Sequence, residues 1–264
     1  MKTIFVLGKG GTGKSTTAFN IAWQLKKTGE NPLLLSLDPA HNLADIAGAA
    51  DIHNLDIEEP DLAQSYEGYL QRLREELKQS FRHLSAFNLD TLLDTIRFSP
   101  GSEEYVLLEQ LQEKLQKAEG EKRRYLIIDT PPTALSKRII NLPALLRGWT
   151  GNLQKMRRGV LQGRKSLKNA LGEKHYAKQY QDLPTKTKDD RLSQRLDTLS
   201  GDYQKLDDTL HAPDTHYLLI LNQDALSREE SEDLLLWMTE KRLACSGLIV
   251  NRFEAEHPLP DDLA

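Results

Sequence analysis

Thr3-Ile4-Phe5-Val6-Leu7-Gly8-Lys9-Gly10-Gly11-Thr12-Gly13-Lys14-Ser15-Thr16 is the stretch that decides the fold. A short apolar run without polar alternation reads as a buried strand, glycines end it, and a helical pattern opens at Ser15. A strand that stops in glycines and restarts as a helix is the context a phosphate-binding loop requires. The glycines let backbone N–H groups converge on phosphate oxygens with no Cβ in the way, and the helix N-terminus adds positive potential. Lys14 is then expected to reach the β- and γ-phosphates, the Ser15 hydroxyl to coordinate Mg²⁺, and Thr16 to add a donor near the α-phosphate. From average residue usage, Lys-Gly-Gly-x-Gly-Lys-Ser/Thr arises with a probability of roughly 10⁻⁷ per starting position, so a chance glycine turn does not compete. Phosphate binding without hydrolysis does compete, because binding alone needs no group that positions water.

Outward from the loop, short apolar runs at Leu33 to Leu37, Tyr125 to Ile128, Tyr217 to Leu221 and Leu248 to Val250 repeat the pattern of Thr3 to Leu7. Each stops at a turn or a charge, and helical stretches separate them, beginning with Ser15 to Lys27, which ends at Gly29 as a C-terminal cap. This alternation predicts an α/β fold, a doubly wound and mostly parallel sheet. Two stretches are too long to be simple crossovers. Residues 61–120 are helical in period, with breaks near Asn88 and at Ser99-Pro100-Gly101-Ser102, where Ser102 is the expected N-cap. Residues 134–212 are helical, polar and rich in both charges, interrupted around Leu183-Pro184-Thr185. Together they are expected to form a helical subdomain inserted into one phosphate-loop domain spanning 1–264.

The 264 residues and 30.0 kDa suit a core domain with a sizeable insertion, and 28% charged residues with a mean hydropathy of -0.54 suit helices that are largely solvated. A net charge of -4 gives no global pull toward nucleic acid or an anionic bilayer. The apolar start is too short for a signal peptide, and nothing downstream is long and apolar enough to span a bilayer. With Cys245 as the one cysteine, no intrachain disulfide forms and a cytoplasmic location is expected, with Cys245 itself a core residue.

Lys9 makes the loop the deviant form Lys-Gly-Gly-x-Gly-Lys-Ser/Thr, which resembles that of the dimeric ATPases that include ParA, MinD, nitrogenase iron protein and ArsA. In that family the early lysine reaches across a nucleotide-sandwich dimer to the partner's phosphates. The resemblance gives Lys9 the part an arginine finger plays elsewhere, against the plainer alternative of a solvated loop lysine. Leu33-Leu34-Leu35-Ser36-Leu37-Asp38-Pro39-Ala40-His41-Asn42-Leu43-Ala44-Asp45 is an apolar strand ending in a carboxylate at the edge where nucleotide sits. Asp-Pro-Ala-His followed by Asn-Leu-x-Asp resembles the switch I of the ArsA group, whose eukaryotic branch targets tail-anchored membrane proteins. By that match Asp38 positions water or the metal's water shell and Asn42 lies near nucleotide at a dimer interface; the bland alternative for Asp38 is a helix N-cap. His41 has no assigned role.

Tyr125-Leu126-Ile127-Ile128-Asp129-Thr130-Pro131-Pro132-Thr133 supplies the carboxylate after buried aliphatics that a Walker B element needs to face Mg²⁺. The family segment reads Asp-Thr-Ala-Pro-Thr-Gly-His-Thr. Ala134 and Leu135 replace its Gly-His pair, so coupling between nucleotide state and the helical subdomain is expected to differ here. Pro100-Gly101-Ser102-Glu103-Glu104 resembles the family's Pro-Gly-x-x-Glu. Leu248-Ile249-Val250-Asn251-Arg252 resembles the strand and loop whose Asn recognises adenine, which gives Asn251 that role beside the alternative of a turn residue. Past Glu254 the sequence is short and acidic where relatives continue with a further strand, which points to a trimmed branch or a truncated chain.

The resemblance implies a cytoplasmic homodimer that binds and hydrolyses ATP with Mg²⁺. Lys9, Lys14 and Asp38 carry catalysis. Gly8, Lys9, Gly10, Gly11, Thr12, Gly13, Lys14, Ser15, Thr16, Asn42 and Asn251 bind nucleotide, and Ser15, Asp38 and Asp129 serve the metal. There is no Cys-x-x-Cys for a zinc-pinned dimer, and one cysteine cannot make a trigonal thiolate metalloid site. Leu142, Leu145, Leu146, Trp149, Leu153, Met156, Val160, Leu167 and Leu171 lie at helical intervals, and the inner face of a bundle is expected ahead of a client groove. Lys155, Arg157, Arg158, Arg164, Lys165 and Lys168 alternate with them and read as a solvated face, or as a contact for an acidic partner or anionic lipid. Three functions follow: an ArsA-like ATPase that couples closure to a protein client, a ParA- or MinD-like positioning ATPase, and a non-catalytic nucleotide-binding adaptor. The long helical insertions and Asp-Pro-Ala-His favour the first and argue against nucleic acid.

Overall fold

The computed structural model describes residues 1–39, 43–80, 101–180 and 183–252, with the backbone alone for 76–80. Asn42, the expected break at Asn88 and the segment past Glu254 lie outside the described residues. Strands β1 (Lys2–Gly8), β2 (Leu33–Ser36), β3 (Asp56–Glu58), β4 (Tyr125–Asp129), β5 (Thr215–Asn222) and β6 (Cys245–Asn251) form one sheet in the order β3-β2-β4-β1-β5-β6. Every pairing is parallel. The five expected strands are present; β3, three residues with a polar alternation, is the addition. The doubly wound α/β fold is therefore the observed one.

Helices α1 (Lys14–Lys27) and α2 (Leu43–Ala49) cover one face. Val6, Leu34, Ile127 and Ile220 project from four neighbouring strands onto Ala18, Phe19 and Ala22 of α1 and Leu43 and Ala47 of α2. Small residues at 18 and 22 let α1 approach the sheet closely. Their complete burial is the expected cost of a strand order that reverses around β1 and wraps helices on the sheet. The turn after α1 is closed by Gly29, at φ 83, with Glu30 N–H donating to the Leu25 carbonyl at 3.0 Å.

The remaining helices are α3 (Leu62–Ser80), α4 (Ser102–Gly120), α5 (Thr133–Leu171), α6 (Glu173–Tyr180), α7 (Arg191–Leu210) and α8 (Ala225–Glu240). Ser102 is not the N-cap of α4: Gly101, at φ 89, takes that position and Ser102 is the first helical residue. A left-handed cap favours glycine, and Glu103 and Glu104 supply negative charge to the first turn. Cys245 is exposed rather than buried, because it opens the edge strand β6.

The chain divides into two compact units whose boundaries fall within α3, α5 and α7. The first contains the sheet with α1, α2, α4 and α8. In the second, residues 141–180 and 183–208 carry buried Leu161, Tyr176, Leu196, Tyr203 and Leu206. Within that unit α5 is inverted relative to expectation. Its inward stripe is Arg147, Thr150, Gln154, Arg157, Leu161, Arg164 and Lys168, a 3-4-3-4 spacing, each residue buried or half-buried. Polar rungs explain this. Arg147 bonds Gln204 at 2.6 Å and pairs with Asp207 at 3.3 Å, Gln154 donates to Asp197 at 2.7 Å, and Arg157 grips Asp190. Arg164 donates to the Pro184 carbonyl and Lys168 pairs with Glu173. Half of the expected solvated basic face is thus internal, and Leu145, Trp149, Leu153, Met156, Val160, Leu167 and Leu171, expected inside a bundle, are exposed instead.

Candidate nucleotide site

The register of the sheet assembles the candidate site. Asp129 lies opposite Val6 of β1 on one side and Ser36 of β2 on the other, so the ends of three strands bring the glycine loop, Asp38 and Asp129 to one edge. Thr130 fastens this junction, its hydroxyl donating to the Val6 carbonyl at 2.7 Å.

The loop closes on itself around one carbonyl. Lys9 O accepts the Thr12 hydroxyl at 2.8 Å, the Thr12 N–H at 3.4 Å and the Lys14 ammonium at 3.2 Å. Gly8 leaves β1 at φ 149, and a Cβ there would stand 2.2 Å from the Ile220 carbonyl oxygen, so only glycine fits between the strands. Gly10 and Gly11 border open space, as a cradle for a bulky anion requires. Ser15 is half-buried and Thr16 exposed in the first turn of α1; Lys9 is half-buried.

Lys14 is buried, and burial lowers its ammonium pKa while Asp129, Asp38 and Glu230 act to raise it. Asp129 is 1% exposed, and burial pushes its carboxyl up to about 6 against the opposing effects of the Ser15 hydroxyl and Lys14. Its Oδ1 is buried without a hydrogen-bond partner. A buried, half-satisfied carboxylate beside a hydroxyl and a lysine is a chemical fit for a hydrated divalent cation, which takes one or two carboxylates and completes its shell with phosphate oxygens and water. Asp38 is half-buried just past β2; its N–H is 3.3 Å from the Ser36 hydroxyl.

Three carboxylates had no role assigned from sequence, although Glu104 closes a quoted motif. Glu59, just after β3, accepts from the N–H groups of Leu43 at 2.8 Å and Ala44 at 3.1 Å, anchoring α2. Glu230 of α8 adds negative charge facing Lys14. Glu104, in the Pro-Gly-x-x-Glu stretch, is buried and pairs with Arg138 at 2.6 Å, tying α4 to the start of α5. The first two carry no local motif, since each acts on a segment distant in sequence. At the other side of the loop the Asn251 amide donates to the Thr12 carbonyl at 2.8 Å and accepts from Arg252 N–H at 3.0 Å.

A family profile described as "Anion-transporting ATPase" matches residues 1–261. The chain belongs to this ATPase family. The match covers the loop, Asp38, Asp129 and Asn251 together. Among individual relatives, the chain is 28% identical over 259 residues to the "ATPase ASNA1 homolog" of Plasmodium falciparum, covering 94% of this chain and 62% of that protein. The protein of the same name in Cryptosporidium parvum is 27% identical over 270 residues, covering 98% and 67%. The provisionally named arsenical pump-driving ATPase 2 of Aquifex aeolicus is 25% identical over 264 residues, covering 98% and 82%. The chain therefore spans about 62% of the length of the Plasmodium relative it matches. Among the described residues no helix is long and apolar enough to cross a membrane.

Proposed function

We propose that the chain is a Mg-ATP hydrolysing ATPase that works as a homodimer and couples nucleotide-driven closure to binding or release of a protein client. The observation that carries the chemistry is the convergence of Lys14, Ser15, Asp38 and Asp129 at one edge of the sheet, beside a glycine loop with room for phosphate. In this assignment Lys14 holds the β- and γ-phosphates, Ser15 and Asp129 hold the cation, and Asp38 orients the attacking water. Asn42 and Asn251 contact nucleotide, and Lys9 serves the partner's site across the dimer. Mg²⁺ would neutralise charge accumulating on the transferred phosphoryl group. The buried Lys14 ammonium would place its positive field where that charge develops.

The client half of the proposal rests on α5. Its outward apolar stripe, with Trp149 at 66% and Met156 at 69% exposure, is larger than isolated surface residues explain and needs a partner to cover it. The polar ladder to α7 leaves that face free to be an interface. A second occupant has its own support: α5 contains nine Lys or Arg and no Asp or Glu over 39 residues, and Lys155, Arg158 and Lys165 are exposed, which suits an anionic lipid surface.

Phosphate release by purified protein, with Lys14→Ala and Asp38→Asn as comparisons, tests the chemistry. Both variants should lose turnover, and Asp38→Asn should still bind ATP. Unchanged hydrolysis in both overturns the assignment, while firm ATP binding with background turnover in the parent protein identifies an adaptor.

A further inference from the structure

The phosphate loop is held from a strand that is not its own. β1, which feeds the loop, is separated from β6 by β5, yet Asn251 at the end of β6 bonds the loop backbone across 239 positions of sequence. Both partners of its amide fix the same orientation. A carbonyl, Thr12 O, faces Nδ2 at 2.8 Å, and an N–H, that of Arg252, faces Oδ1 at 3.0 Å, so exchanging oxygen for nitrogen would lose both bonds. Arg252 adopts φ 52, turning the chain immediately after the bonded residue.

Thr12 is the residue so gripped, and it is 1% exposed. Its hydroxyl and N–H both point to Lys9 O, while its carbonyl is taken by Asn251, so Thr12 is pinned on two sides. The next residue, Gly13 at φ 93, begins the run of backbone N–H groups that a phosphate would meet. A Cβ on Gly13 would stand 2.4 Å from Asn251 Nδ2. The amide therefore packs directly on the peptide that aims those N–H groups.

We infer that Asn251 is a positioning residue for the phosphate cup, acting through Thr12 and Gly13 independently of any contact with a base. The inference rests on the nucleotide reading of the loop. One Nδ2 hydrogen and one Oδ1 lone pair remain after the two bonds, which is enough to meet a purine edge, so a base held there would bear on the same amide that sets the loop. Base and triphosphate subsites are then mechanically joined through one side chain.

The test uses Mg-tripolyphosphate, which has phosphates but no base, beside Mg-ATP, measured by calorimetry on the full chain and on Asn251→Ala and Asn251→Asp. Removing one partner of the bond leaves the buried Thr12 carbonyl unsatisfied, and the aspartate opposes it with a second acceptor, so each variant should weaken tripolyphosphate about tenfold and ATP by at least that factor. Loss of ATP affinity with tripolyphosphate affinity unchanged would make Asn251 a base reader only and overturn the inference. So would unchanged affinity for both. Parent protein that binds neither ligand would sink the nucleotide reading itself, and hydrogen exchange then decides the tether separately. In ligand-free Asn251→Ala the amides of residues 12–15 should exchange about tenfold faster, while amides of the distant strands β2 and β4 keep the parent's rates. Exchange equal to that of the parent rejects the tether.

Discussion

Arg157 and Asp190 meet in a two-pronged pair, Nε to Oδ2 at 2.9 Å and Nη2 to Oδ1 at 2.6 Å, and the same carboxylate accepts the Ser193 N–H and hydroxyl at the start of α7. A side chain read from sequence as surface charge is therefore a rivet of the second unit. Arg157 beside it and the Ser193 donors hold the Asp190 carboxyl down from the ordinary 3.8 to about 2. Removing one partner from a pair in which Asp190 is only 3% exposed should cost about 3 kcal/mol, so Asp190→Ala is expected to lower the urea midpoint clearly. Because the folded pKa is depressed, the stabilisation is complete above pH 4 or so and is lost as pH falls through about 2. Acid titration of stability should show that fall in the parent and a shallower one in Asp190→Asn.

Asp129 works in the opposite sense. Its carboxyl is raised to about 6, so without a cation the fold gains stability as pH falls from about 6 toward 3.8. Mg²⁺ needs the ionised form, so Mg-dependent ATP affinity should drop up to about tenfold per pH unit below 6. Calorimetry across pH 5 to 8 checks this, and Asp129→Asn should remove the dependence along with most of the Mg²⁺ effect.

On the proposed assignment, Lys14→Ala should reduce turnover by about a hundredfold or more, since it removes the buried cation proposed to face the transferred charge. The variant should remain folded: the ammonium's bond to Lys9 O duplicates what Thr12 already supplies. Near-parental phosphate release would reject Lys14 as the catalytic cation.

Gly8→Ala places a methyl 2.2 Å from the Ile220 carbonyl, on backbone that cannot step aside without parting β1 from β5. A loss of about 2–3 kcal/mol is expected by chemical denaturation. Gly10→Ala, with open space around it, should cost far less.

On α5, replacing Trp149 and Met156 by Ser should change stability by no more than about 0.5 kcal/mol, because neither is buried. Dye binding to exposed apolar surface should fall in the same variant. Leu161→Ala, from the buried stripe, should instead cost about 2–4 kcal/mol.

What was legible in the sequence follows from how local each signal is. The glycine loop, Asp38 and Asp129 each end a short, mostly apolar run, so the repeated strand-then-turn pattern points to one sheet edge. β3 was not legible because Asp56-Ile57-Glu58 is three residues long and held by pairing with β2. Glu59 and Glu230 were missed because their effects fall on segments far away in the chain. The two faces of α5 were exchanged for a related reason: apolar side chains suggest an interior, but the partners that draw Arg147, Arg157 and Arg164 inward lie 20 to 60 residues onward. Hydrophobic periodicity locates a helix well, and it says less about which side a neighbour's carboxylates will claim.

The Glu59 bond to the N-terminal amides of α2 gives the shortest strand a task larger than its length. Whatever displaces β3 sideways must carry this carboxylate with it, and with it the helix that begins directly after Asp38, Pro39 and residues 40–42. A peptide that competed for the outer edge of the sheet would therefore disturb the Asp38 segment without coming near the glycines, by casting off its mooring.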